Sequence, residues 1–64
     1  MSVILDVYRL EGEPKWTADV YAGGAIVYRQ QRLTRIDAMI DALREIDLRY
    51  PGAQIELSGN YLGE

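Results

Sequence analysis

The chain has 64 residues, with seven basic and ten acidic side chains, a net charge of −3, no Cys and no His. This length allows one domain, residues 1–64, and the 48% apolar share suits a folded one. Disulfides and thiolate metal sites are excluded, as are the commonest zinc ligand and the usual general base near neutral pH.

A small single core rarely contributes more than about 3–5 kcal/mol, so such domains usually gain stability from a staple or a partner. With no Cys and no His, self-association remains, and a homodimer is expected. The acid excess disfavours duplex binding, which rests on neutralising phosphates with Lys and Arg. No apolar run approaches the ~18 residues of a membrane span, so no membrane partner is expected. Met1-Ser2-Val3-Ile4-Leu5-Asp6 has no basic leader and carries an acid within its apolar stretch. It is not read as a signal peptide, and the expected location is cytoplasmic.

Val3 to Leu10 is β-branched and aromatic, with Val3, Leu5 and Val7 alternating against Ile4, Asp6 and Tyr8, which predicts a strand. Glu11-Gly12-Glu13-Pro14-Lys15 is a charged turn. Trp16 to Tyr21 alternates again. Gly23-Gly24 then separates it from a third strand, Ala25 to Gln30. Both central residues of a type I′ hairpin turn need positive φ, which suits two glycines.

The period then changes. Ile36, Met39, Ile40, Leu43, Ile46 and Tyr50 follow helical spacing, with Ile40 and Leu43 predicted at the centre of the buried stripe. Thr34 and Asp37 resemble a capping box, and Pro51-Gly52 closes the helix. Asp47 falls by helical angle at the rim of the apolar stripe. Ala53 to Ser58 alternates as a last strand, and Gly59 to Glu64 is read as a tail. The expected fold is α+β in the order β-β-β-α-β, an antiparallel sheet with one helix on one face.

No constellation in this sequence carries catalysis. Asp37, Asp41 and Glu45 stand four apart on a helix stripe predicted to face solvent, where no apolar pocket would shift a pKa. The Ser and Thr hydroxyls have no His to activate them, and Gly23-Gly24 is followed by neither a helix nor a Lys-Ser or Lys-Thr pair. No calcium-loop spacing occurs. The chain is therefore read as non-enzymatic and without a cofactor.

The distinctive feature is aromatic. A two-residue Gly23-Gly24 loop sets Tyr21 opposite Ile26, Val20 opposite Val27 and Asp19 opposite Tyr28. Val3, Leu5, Val7, Trp16, Ala18, Val20 and Val27 then share the face that receives the helix. Ile4, Tyr8, Tyr21, Ile26 and Tyr28 share the other, with Asp6, Thr17 and Asp19 among them. Tyr8, Tyr21, Ile26 and Tyr28 form one candidate partner-binding surface, and the stripe of Asp37, Asp41 and Glu45 forms a second.

The element order resembles that of the HicB-like antitoxin domains. Arg35-Ile36-Asp37-Ala38-Met39-Ile40-Asp41-Ala42-Leu43 falls where that family has its helix, although the family's glycine-cysteine segment is absent. It also resembles the short phage-encoded anti-CRISPR inhibitors, whose helix-to-last-strand passage looks like Tyr50-Pro51-Gly52-Ala53-Gln54-Ile55-Glu56-Leu57-Ser58-Gly59. The resemblance implies a phage or mobile-element inhibitor that binds a protein partner in the host cytoplasm. The alternatives are an antitoxin-like or purely structural homodimer and a single-stranded nucleic-acid binder. In the last, tyrosines would stack on bases and Arg9, Arg29, Arg32 and Arg35 would contact phosphate.

Overall fold

The computed structural model describes residues 1–58; the expected tail, Gly59 to Glu64, lies outside them. Four strands and one helix follow the expected order: β1 (Ser2–Tyr8), β2 (Trp16–Ala22), β3 (Ala25–Arg32), α1 (Arg35–Arg49) and β4 (Gln54–Leu57). The fold class is α+β. The sheet runs β3-β2-β1-β4. β1, β2 and β3 form an antiparallel meander, but β4 lies on the outer side of β1 and runs parallel to it. The sheet is therefore mixed rather than wholly antiparallel. A strand that follows a crossover helix returns in the direction of the strand it joins.

Gly23 and Gly24 both have positive φ, 62° and 82°, and Ala22 pairs with Ala25 across them. The hairpin turn is the one the two glycines predict. Thr34 caps α1: its Oγ1 accepts from the Asp37 backbone N–H at 3.2 Å. At the other end the Tyr50 N–H donates to the Ile46 carbonyl at 2.7 Å, and Gly52 turns the chain with φ of 81°.

The core consists of Val3, Leu5, Val7, Ala18, Val20, Ala38, Ala42 and Ile46. Here the helix differs from its predicted orientation. Ala38, Ala42 and Ile46 face the sheet, whereas Ile40 and Leu43, expected at the centre, are 41% and 38% exposed. The sheet already fills the layer with valine and leucine, so small helix residues let the two backbones approach. The larger aliphatics are displaced to the flank. Asp47 is exposed, outside the rim expected for it.

Candidate functional site: the open sheet face

β1 pairs with β2 so that Leu5 meets Val20 and Val7 meets Ala18 under the helix. Alternation then sends Ile4, Asp6 and Tyr8 of β1, and Thr17, Asp19 and Tyr21 of β2, to the opposite face. Tyr21 meets Ile26 of β3, as the hairpin predicts. One step further, the register shifts. Val20 pairs with Tyr28 instead of Val27, and Asp19 pairs with Arg29 instead of Tyr28. Val27 is the extra residue of a β-bulge, and a bulge moves all later side chains of its strand to the other face.

Tyr28 accordingly leaves the open face and packs against the core under the helix. The expected cluster of three tyrosines becomes two, Tyr8 and Tyr21, with Ile4 and Ile26 exposed beside them. Arg49, in the last turn of α1, holds the bulge from the helix side. Its Nη1 donates to the Val27 carbonyl at 2.8 Å, and its guanidinium lies 5.3 Å from the centre of the Tyr28 ring.

Arg29 takes the place Tyr28 vacates, and this builds the centre of the site. Asp19 is only 1% exposed although it lies on the face without a helix. Arg29 donates from Nε to Asp19 Oδ1 at 2.6 Å and from Nη2 to Oδ2 at 3.2 Å, while the Tyr8 hydroxyl donates to Oδ2 at 2.9 Å. Three donors thus satisfy one buried carboxylate. The hydrogen bond to Asp19 and that residue's charge raise the Arg29 pKa further above its ordinary value. Burial, then the hydrogen bond to Asp19, raises the Tyr8 pKa above the ordinary phenol value.

Asp6 stands directly opposite Asp19 on β1. Its Oδ1 is shielded from solvent and has no hydrogen-bond partner among the described residues. Like charges in such a pair repel, and the donors around Asp19 serve that residue alone. Asp6, Tyr8, Asp19, Tyr21 and Arg29 line one concavity of about 530 Å³. Arg9, Leu10 and Trp16 line it too, with Arg9 stacked over the Trp16 ring at 5.4 Å. The sequence reading set Arg9 beside the tyrosines only as a phosphate contact, placed Trp16 on the helix face, and gave Leu10 no role here.

The acidic helix stripe is not a free surface. Asp41 pairs with Arg32 of β3 and Glu45 pairs with Arg49 of its own helix, leaving both carboxylates partly buried rather than facing solvent. Of the three acids, Asp37 stays exposed, on the first turn of the helix. Among the described residues no group of three or more carboxylates is placed to hold a metal ion, and no helix is long and apolar enough to cross a membrane. In comparisons with known proteins, no family, no curated sequence and no solved structure matches the chain.

Proposed function

We propose that this chain is a non-enzymatic protein-binding module whose working surface is the open sheet face. The observation that carries this reading is the concavity built around the Asp19–Arg29 pair, with Ile4 and Ile26 exposed beside Tyr8 and Tyr21 on the same sheet face. Exposed aliphatic side chains beside tyrosines suit a protein interface, where Tyr is among the enriched residues. The acidic balance and the element order shared with short phage-encoded inhibitors support placing the chain among inhibitors of that kind.

The stacking surface required of a nucleic-acid binder has lost Tyr28 to the core, and Arg29 is committed to Asp19. Affinity capture from the native host, with the wild type and with Ile4→Arg and Ile26→Arg, tests the protein-binding reading. These side chains are exposed, so both variants should fold. Each should lose the captured protein while retaining the wild-type circular dichroism spectrum. Capture that survives both changes overturns the open face as the working surface. Salt-sensitive retention of single-stranded RNA or DNA in place of a protein overturns the protein-binding reading.

A further inference from the structure

β4 brings a further charge to the open face. Its Glu56 is in register with Ile4 of parallel β1, so the two side chains point to the same side of the sheet. One row across the face therefore reads Glu56, Ile4, Tyr21 and Ile26, and the next reads Asp6, Asp19 and Arg29. Among the described strand residues, alternation gives this face the acids Asp6, Asp19 and Glu56 against the base Arg29. Arg29 and Asp19 neutralise each other on the β3 side. The charges left on the β1 and β4 side are both negative. Glu56 is exposed, Asp6 is half-buried, and neither belongs to an ion pair among the described residues. Ile4, 43% exposed, lies one strand (about 4.8 Å) from Glu56 and two residues (about 7 Å) from Asp6. Arg9 stands beyond the end of β1, roughly 16 Å along the strand from Ile4, and is stacked on Trp16.

Resting on the protein-binding role proposed above, we infer that this corner of the open face receives a basic side chain, lysine or arginine, of the partner protein. Both side chains combine an aliphatic stem with a charged head. The stem covers Ile4, and the head reaches the Glu56 carboxylate and makes a charge-assisted hydrogen bond there. Asp6 adds field rather than a second contact, because its Oδ1 is shielded.

Other partners fit this corner less well. An acidic surface meets two unpaired carboxylates. A wholly apolar one strips water from Glu56 and returns no hydrogen bond. The net charge of −3 acts in the same direction, drawing the chain toward a basic surface and away from a phosphate backbone.

NMR titration of the isotope-labelled chain with a hexapeptide of alternating leucine and lysine tests the inference. The matching leucine and glutamate hexapeptide is the control. The lysine peptide should shift the amide signals of Ile4, Asp6 and Glu56, and its affinity should fall as salt rises. The glutamate peptide should bind more weakly by about tenfold or more. Glu56→Gln should weaken the lysine peptide about two- to fivefold, the scale of one exposed ion pair. Glu56→Lys should cost about tenfold or more, because like charges then meet. Both variants should keep the wild-type circular dichroism spectrum, since Glu56 is exposed. Asp37→Asn, which removes one negative charge from the helix, should leave the affinity unchanged, so a local contact is separated from net charge.

Equal binding of the two peptides overturns the inference, as do equal losses for Glu56→Gln and Asp37→Asn. A lysine peptide that shifts none of the three signals at millimolar concentration overturns it too. Affinity capture keeps this failure apart from that of the protein-binding role. A captured protein lost with Ile4→Arg and Ile26→Arg but retained by Glu56→Lys leaves the open face as the working surface and removes its basic partner.

Discussion

Arg29 and Asp19 face each other across β3 and β2 on the side of the sheet that has no helix, joined by two hydrogen bonds of 2.6 and 3.2 Å. The pair is lopsided: the carboxylate is buried and the Arg29 side chain is 55% exposed. Removing the partner of a buried charge is worse than removing both members. Arg29→Ala should therefore lower the thermal midpoint more than Arg32→Ala does, and Asp19→Ala/Arg29→Ala should recover part of the loss. Thermal denaturation of the three variants checks the order. Equal midpoints for Arg29→Ala and Arg32→Ala would show that Asp19 does not depend on this partner.

The same carboxylate gives Tyr8 a pH signature. The folded state holds the neutral phenol, so its pKa lies above the unfolded value of about 10. Its contribution to stability is complete below about pH 10 and is lost as pH rises through the folded value. Tyrosinate absorbance should include a late step from Tyr8, and Tyr8→Phe should remove that step along with part of the stability loss above about pH 10. A Tyr8→Phe titration identical to the wild type would contradict the assignment.

The rotation of the helix predicts which of its aliphatics matter to the fold. Ile46 is buried and Leu48 is 77% exposed. Ile46→Ala should cost about 2–5 kcal/mol, whereas Leu48→Ala should stay within about 0.5 kcal/mol. Chemical denaturation measures both, and similar costs would mean the helix faces the sheet differently.

Ala42 shows why the helix can approach so closely. It is fully buried between helix and sheet. Ala42→Leu adds volume where none is free and should destabilise the fold by about 1–3 kcal/mol, even though leucine is a good helix former. A gain in stability would reveal space the packing does not show.

Thr34 supplies a local test. Its hydroxyl satisfies a backbone N–H at the start of α1, so Thr34→Ala should cost about 1 kcal/mol and Thr34→Asp should retain most of the stability. Fraying of the first turn, read by amide exchange, should accompany the loss.

The sequence by itself determined the elements and their order. Alternation, the Gly23-Gly24 turn, the Thr34 cap and the Pro51-Gly52 stop are local instructions, carried by a few neighbouring residues whose backbone preferences act without the rest of the fold. Those signals also put Tyr8, Tyr21 and Ile26 on the open face. The tertiary structure decided three further things. It set the direction of β4, because nothing within Gln54–Leu57 states which strand it will join. It chose Ala38, Ala42 and Ile46 over Ile40 and Leu43 as the buried helix stripe, because close packing against a sheet of valine and leucine favours the small residues over the more hydrophobic ones. And it inserted the bulge at Val27, which exchanged Tyr28 for Arg29 on the open face. That exchange has no local signature. A one-residue slip leaves the alternating pattern of β3 intact and reverses which half of it faces the helix, and the choice rests on contacts with Arg49, Val20 and Asp19, which lie far away in the chain.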